Sequence, residues 1–144
     1  MILTAGPSIT KLEKKYVADA VSSGWNDNWN NYLVKLENSF KKYFKVKYAI
    51  PTSSCTGAMH MGLAGLGVGH GDEVILGDTN WIASAAPTTY LGAKPVFIDV
   101  LPDTWCINPA KVEDAITPRT KAIIAVHLYG NLCEGKCEWD VRAT

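Results

Sequence analysis

The sequence predicts an α/β fold, built on a mainly parallel sheet with helices on both faces. From residue 46 onward, short apolar runs alternate with helix-like segments. Strands separated by helices in this way are typical of βαβ units, whose parallel sheets are buried on both faces. Of the 144 residues, 47% are hydrophobic, and 14 basic side chains balance 14 acidic ones, as in a globular domain. No repeat or interior linker interrupts the chain, so we expect one domain or part of one.

The first third of the chain is predicted to be helical. Thr10 and Glu13 have capping-box spacing, and apolar residues recur at helical intervals until Gly24 ends the segment. A loop rich in asparagine follows and carries Trp25 and Trp29. A second, amphipathic helix is predicted after this loop, with an apolar face formed by Leu33, Leu36, Phe40, Tyr43 and Phe44.

The rest of the chain is predicted to alternate between strands and helices. Strands are predicted at 46–51, 74–76, 95–100 and 121–126. Helices are predicted at 57–66, at 81–91 with a break or a start near Pro87, and at 112–116. Because ligands of open parallel sheets bind outside the carboxyl ends of the strands, a site is expected in the loops at 52–56, 78–81, 99–103 and 127–130.

The loop at 52–56 is the strongest candidate for a binding site. A strand, a turn of small hydroxylated residues and a helix start would present free backbone amides at one point. The hydroxyls of Ser53, Ser54 and Thr56 would add to them, and the helix dipole favours an anion such as phosphate there. Ordinary helix capping by the same hydroxyls needs no ligand, and the segment by itself favours the two interpretations equally.

Other side chains at predicted strand ends could bind or react, but each also has a structural interpretation. Trp81 could stack on a flat cofactor ring or pack in a core or at its rim. His127 could act as an acid, a base or a hydrogen-bonding anchor, although a single histidine there is more often structural. Asp99 and Asp103 are interpreted as turn or capping acids, and His60 as a packing residue.

The composition argues against several classes of partner. The formal net charge is zero, which gives little attraction to nucleic acid. No apolar run approaches the roughly 20 residues of a membrane-spanning helix, and residues 1–10 lack the pattern of a secretory signal, so we expect a cytoplasmic protein with no membrane partner. Reduced cysteines are expected. Cys133 and Cys137 have no second pair and no histidine at finger spacing, so no metal site is predicted.

Taken together, the motifs resemble those of the DegT-type sugar aminotransferases, which are pyridoxal-phosphate (PLP) enzymes of the type I aminotransferase fold. The resemblance covers residues 1–134 as the N-terminal part of the large domain, and residues 135–144 form a tail that resembles nothing in the family. The matching motifs are Gly6-Pro7-Ser8-Ile9, Ser23-Gly24-Trp25, Thr52-Ser53-Ser54-Cys55-Thr56 with Ala58-Met59-His60, Gly71-Asp72-Glu73-Val74-Ile75, Asn80-Trp81, the runs 92–100 and 116–124, and His127-Leu128-Tyr129-Gly130.

The resemblance implies roles for several of these residues. In the family a Ser/Thr-rich loop holds the cofactor phosphate, and it falls here on Cys55 and Thr56, with Ser54 beside them. The family aromatic residue that stacks on the pyridine ring falls on Trp81. Trp25 lies in a loop that in the family approaches the sugar substrate or the neighbouring subunit, so a substrate contact is expected.

The resemblance also implies an activity for the intact enzyme. An amino acid such as glutamate would supply an amino group to a nucleotide-linked keto-sugar in polysaccharide or related glycan synthesis, in a homodimer. No lysine of this chain matches the family's Schiff-base lysine, so we expect a fragment that has no catalytic residue of its own, is inactive alone and binds cofactor weakly. Two alternatives stay open: a PLP-dependent sugar dehydratase of the same family, in which a histidine replaces that lysine, and a non-catalytic fragment.

Overall fold

The computed structural model describes residue 6 and residues 8–134, and the chain divides into two compact units, Met1–Pro51 and Thr52–Thr144. The first unit contains helices, and the second contains a parallel sheet covered by helices. The predicted tail at 135–144 and Cys137 within it lie outside the described residues.

The first unit consists of two helices, α1 (Lys11–Ser23) and α2 (Asn31–Phe44), separated by a 3-10 turn at Asn26–Asn28. The predicted capping box is confirmed, because the Thr10 hydroxyl accepts a hydrogen bond from the Leu12 N–H at 3.1 Å and the Thr10 N–H donates to the Glu13 carboxylate at 2.6 Å. No residue of either helix is buried within this unit. The two helices contact each other through a polar and aromatic cluster rather than through a dry core.

That cluster is centred on Tyr32 of α2. Its hydroxyl donates a hydrogen bond to the Asp19 carboxylate of α1, and its ring meets the Tyr16 ring edge to face at 5.9 Å between centroids. This hydrogen bond is the main reason why the pKa of Asp19 is lowered, and it raises the pKa of Tyr32 to about 12. Gly24 ends α1 as predicted. A glycine fits this position because a Cβ atom would lie 2.5 Å from the Ala20 carbonyl oxygen.

The strand predicted at 46–51 is wrong. After the left-handed Lys45 that ends α2, residues 46–51 form no ladder with any described strand. An extended apolar run becomes a strand only when a neighbour accepts and donates its backbone hydrogen bonds. No described strand supplies that neighbour, so the local pattern alone was insufficient here.

The second unit is built on three parallel strands in the order β2-β1-β3. Its elements are α3 (Cys55–Gly65), β1 (Glu73–Gly77), α4 (Ile82–Tyr90), β2 (Lys94–Ile98), α5 (Pro109–Ala115) and β3 (Thr120–Ile124), followed by a 3-10 turn at Leu128–Gly130. In the central strand, Val74 lies opposite Pro95 of β2 and Ala122 of β3. The α/β class and the three strands predicted after residue 70 are therefore confirmed.

Helices cover both faces of this sheet, and β1 is buried along its whole length. On one face Leu63 of α3 packs with Val74 and Ala122, and on the other Val112 of α5 packs with Ile75. Alternate residues of β1 therefore serve opposite cores, as the period of two along a strand requires.

The break expected near Pro87 is wrong, because α4 runs continuously through this residue. Proline removes one amide donor from the helix, but α4 ends three residues later at Tyr90, and Pro87 itself is buried.

Thr88, the neighbour of Pro87, is fully buried, and its hydroxyl has no hydrogen-bond partner among the described residues. An unsatisfied buried hydroxyl lowers stability because its desolvation is not compensated.

The Thr88→Val substitution is therefore expected to stabilise the chain by about 1 kcal/mol, since valine keeps the shape and removes the hydroxyl. Urea unfolding followed by circular dichroism measures the change. Thr89→Val is the matched control, because Thr89 is exposed and its hydroxyl donates to the Ala86 carbonyl at 2.8 Å. The prediction fails if Thr88→Val unfolds at a lower urea concentration than the unsubstituted chain.

Candidate cofactor site

The predicted cofactor-binding residues of the second unit lie at the carboxyl edge of the sheet. α4 begins just beyond the carboxyl end of β1. α3 leads through the turn at 66–72 into the amino end of β1 while packing against the sheet, so its first residues lie at the opposite, carboxyl edge. α3 and α4 also pack on each other. This topology places Ser54, Cys55 and Thr56 at the same edge as Trp81.

Ser54 caps α3, which confirms the structural half of its interpretation. Its hydroxyl accepts a hydrogen bond from the Gly57 N–H at 3.1 Å, and its carbonyl accepts one from the Ala58 N–H at 3.0 Å. Cys55 and Thr56 are the first two residues of the helix, so their amides have no intrahelical acceptor. Two amide donors are thus left at the positive end of the helix dipole.

The arrangement is compatible with an anionic group as well as with ordinary capping. Cys55 is exposed and Thr56 is half-buried, so a ligand can reach both amides. Gly57 avoids a tight contact with the cap, because a Cβ atom there would come within 3.3 Å of the Ser54 hydroxyl oxygen. The residues at the start of α3 therefore suit a phosphate, although the binding role of Ser54, Cys55 and Thr56 stays a prediction.

Trp81 immediately precedes α4, and its indole is 75% exposed. Its backbone N–H donates to the Asn80 side-chain oxygen at 2.7 Å, and the same oxygen accepts from the Ser84 hydroxyl at 3.1 Å. Within the second unit the indole is therefore not a core residue, and its face is open to a planar ligand. Asn80 anchors the Trp81 backbone. Sequence reasoning assigned Asn80 no such role, although an asparagine directly before a helix start indicates it.

Trp25, the predicted substrate contact, belongs to the first unit. Its indole N–H donates to the Val21 carbonyl at 2.6 Å, and its ring is 65% exposed. This hydrogen bond holds the ring beside the end of α1. The substrate contact itself stays a prediction.

The remaining candidate side chains have distinct surroundings. The Asp103 carboxylate accepts from the Thr104 N–H at 3.0 Å, which confirms its interpretation as a turn acid. The His60 ring packs edge to face on the Tyr90 ring at 5.8 Å between centroids, as expected of a packing residue. Asp99 is exposed at the end of β2. His127 accepts a backbone hydrogen bond from Cys133, a contact that sequence reasoning did not predict.

Among the described residues, no group of three or more histidine, cysteine, aspartate or glutamate side chains could hold a metal ion. No helix in the described part of the chain is long and apolar enough to cross a membrane.

The chain is similar to proteins of one aminotransferase family. The family model described as the DegT/DnrJ/EryC1/StrS aminotransferase family matches residues 7–137. A GDP-perosamine synthase of Caulobacter vibrioides is 42% identical over 92% of this chain, and a GDP-perosamine synthase of Escherichia coli O157:H7 is 42% identical over 89%. The chain spans 36% and 35% of the length of these relatives, or about a third.

Solved structures are similar over the same region. The aminotransferase from Psychrobacter cryohalolentis has a TM-score of 0.82 and 34% identity, and the match covers 90% of this chain and 33% of that one. A Streptococcus pneumoniae chain assigned as a sugar aminotransferase gives the same TM-score and identity in its PLP form, with 92% of this chain and 34% of that one covered. That protein has also been solved in a pyridoxamine-phosphate (PMP) form. These likenesses confirm the predicted type I aminotransferase fold.

Proposed function

Because the chain belongs to the DegT/DnrJ/EryC1/StrS aminotransferase family, we propose that it is the part of a PLP-dependent sugar aminotransferase that holds the cofactor phosphate and one face of the cofactor ring. The observation that carries this proposal is the shared position of an open helix start, at Cys55 and Thr56, and an exposed indole, at Trp81, on the carboxyl edge. An anion cradle beside a flat apolar surface suits a phosphorylated aromatic ring.

The chain's own contribution is binding and orientation. The amides of Cys55 and Thr56 would bind the phosphate, and the Ser54 hydroxyl would keep the first turn of α3 in shape. The Trp81 indole would limit rotation of the ring by stacking on it. When bound, PLP supplies an electron sink for the carbon that carries the amino group. We assign no catalytic acid or base to the described residues.

The proposed acceptor is a nucleotide-linked keto-sugar, and the Caulobacter and Escherichia coli relatives, which are GDP-perosamine synthases, support a nucleotide-linked sugar. An amino acid such as glutamate is the proposed donor, in polysaccharide or related glycan synthesis. Trp25, exposed beside the end of α1, is the proposed substrate contact. A homodimer in the cytoplasm completes the proposal, with Trp25 and the equally exposed Trp29 as candidates for the interface.

Binding of PMP to the 144-residue chain tests the proposal. PMP carries the phosphate and the ring but no aldehyde, so it forms no nonspecific bond with surface lysines. Saturable quenching of tryptophan fluorescence is expected, and inorganic phosphate should compete. Stacking on an aromatic ring contributes about 0.5–1.5 kcal/mol, so Trp81→Leu should weaken binding by about 2–10-fold.

Trp29→Leu is the control for this experiment, because Trp29 is exposed to a similar degree but lies in the first unit. Its PMP affinity should equal that of the unsubstituted chain. The absence of saturable PMP binding at millimolar concentration would contradict the proposed function. Equal binding by the unsubstituted chain and Trp81→Leu would remove Trp81 from the site.

A further inference from the structure

The segment after β3 contains His127, a histidine at the carboxyl edge that has one ring nitrogen engaged by a backbone hydrogen bond. His127 lies three residues beyond the end of β3 and is exposed. Its Nδ1 atom accepts a hydrogen bond from the backbone N–H of Cys133 at 3.1 Å. An atom that accepts from an N–H carries a lone pair and no proton.

This hydrogen bond determines the tautomer of the imidazole. With Nδ1 unprotonated, the single proton of the neutral ring lies on Nε2. Among the described residues, none accepts a hydrogen bond from Nε2. His127 thus presents its Nε2–H as a hydrogen-bond donor at the edge where the cofactor cradle lies.

The surrounding turn is held in place from its buried side. The thiol of Cys106, which is buried, donates to the Asn131 carbonyl at 3.3 Å, and the Asn131 side-chain amide donates to the Thr104 carbonyl at 3.1 Å. The thiol of Cys133 donates to the Val126 carbonyl at 3.2 Å. These contacts join the turn after β3 to the loop after β2, so the His127 ring has a fixed support.

Between these anchors the backbone is strained at an exposed residue. Tyr129 has φ of +52° and is 95% exposed, although a residue with a side chain rarely adopts this conformation. A residue is held in such a conformation only when the surrounding contacts enforce it. The hydrogen bonds around Cys106, Asn131 and Cys133 enforce it here.

We infer that His127 is a ligand-contacting residue whose Nε2–H donates a hydrogen bond to a phenolate or carboxylate oxygen bound at the carboxyl edge. The inference rests on the proposed function, because that function supplies such oxygens on the cofactor ring and on the amino donor. An imidazole N–H donor suits them, since such oxygens accept hydrogen bonds. The phosphate is assigned to α3 and is not the expected partner.

Two conservative substitutions separate the ligand contact from the structural one. In His127→Asn the side-chain oxygen can replace Nδ1 as the acceptor for the Cys133 N–H, but no donor remains at the Nε2 position. In His127→Gln the side-chain amide reaches the Nε2 position, but the acceptor near Cys133 is lost. A purely structural histidine should be replaced well by asparagine and poorly by glutamine. A ligand-contacting histidine should lose ligand affinity in the asparagine variant although the fold persists.

The test measures folding and binding independently in these chains. Thermal unfolding of His127→Asn should occur within about 2 °C of the unsubstituted chain, because the Cys133 hydrogen bond is kept. PMP affinity, measured by fluorescence quenching with and without added 2-oxoglutarate, the keto acid that pairs with PMP and carries the carboxylates of glutamate, should fall about 3–10-fold, the usual effect of one hydrogen bond. A loss with PMP alone identifies the ring oxygen as the partner, and a loss that requires 2-oxoglutarate identifies the carboxylate.

Nitrogen NMR of ¹⁵N-histidine provides a readout that does not depend on the variants. Nδ1 of His127 should have the signal of an unprotonated nitrogen, and PMP with or without 2-oxoglutarate should shift the Nε2 signal more than inorganic phosphate does. Equal ligand affinity of the unsubstituted chain and His127→Asn, or an unchanged Nε2 signal at saturation, overturns this inference alone. If the unsubstituted chain does not bind PMP at all, the proposed function fails and this inference fails with it.

Discussion

The Glu73→Ala variant is expected to unfold at a temperature lower by about 5–10 °C than the unsubstituted chain. Glu73 begins the central strand β1, and its side chain is almost fully buried, with 3% of the residue exposed. One carboxylate oxygen accepts from the Thr117 hydroxyl at 2.6 Å, and the other accepts from the Arg119 guanidinium, also at 2.6 Å. Both donors precede β3, so this side chain joins two strands at the amino edge of the sheet.

The backbone around Glu73 shows why the loss should be large. The Glu73 N–H donates to the Arg119 carbonyl at 2.8 Å, and Lys94 at the start of β2 lies 3.9 Å from the carboxylate. The carboxylate therefore connects the starts of all three strands. Removing it leaves the Thr117 hydroxyl and the Arg119 guanidinium without this acceptor and leaves a cavity in place of the buried carboxylate.

The same contacts predict how stability depends on pH. The hydrogen bond from Thr117 is the main reason why the pKa of Glu73 lies below its ordinary value, and the hydrogen bond and charge of Arg119 lower it further. A carboxyl group with a lowered pKa in the folded state contributes stability above its unfolded pKa and loses it as the pH falls through the folded pKa. The difference in the free energy of unfolding between the unsubstituted chain and Glu73→Gln should therefore be largest near pH 7 and should become smaller as the pH drops below about 4.

Glu113 provides the control for both measurements, because it is exposed on α5. Glu113→Ala should change the unfolding temperature by less than about 2 °C, since exposed substitutions of this kind have small effects. Equal unfolding temperatures for Glu73→Ala and Glu113→Ala would show that the buried carboxylate does not hold the strands together. A difference between Glu73→Gln and the unsubstituted chain that persists at acidic pH would show that packing, not charge, explains the effect.

The second unit was largely predictable because its pattern is local. The strand predicted at 74–76 lies within β1, and the helix predicted at 57–66 is α3. The segment at 46–51 has an equally strong apolar pattern, but a strand also needs a partner, which no local pattern contains. The burial of Glu73 and its hydrogen bonds could not be predicted for the same reason, since Thr117 and Arg119 lie 44 and 46 residues further along the chain.

The candidate site was predictable in its position and only partly in its contacts. The Thr52–Thr56 turn indicated an open helix start, and the structure has it at Ser54. The exposure of Trp81 depends on how α4 packs, so the sequence left stacking and core packing both open. The tautomer of His127 depends on a backbone amide six residues away at Cys133, in a turn with no regular period to predict it.

The Thr56→Asp variant is expected to lose at least tenfold in PMP affinity while its fold becomes slightly more stable. Thr56 is the second residue of α3, where one of the two open amides lies. A carboxylate there interacts favourably with the helix dipole and should add about 0.3–1 kcal/mol to stability. The same charge repels an incoming phosphate and competes with it for the amides, and about 1.4 kcal/mol of repulsion lowers affinity tenfold.

Thr56→Asn separates charge from shape, because asparagine has the size of aspartate and no charge. Its PMP affinity should stay within about threefold of the unsubstituted chain. Added salt should narrow the gap between the two variants, since ionic screening weakens the repulsion at an accessible site. Unchanged PMP affinity in Thr56→Asp would move the phosphate away from α3. Equal losses in Thr56→Asp and Thr56→Asn would instead assign the effect to the threonine hydroxyl, which would then be a direct ligand of the phosphate rather than a neighbour of the amides that bind it.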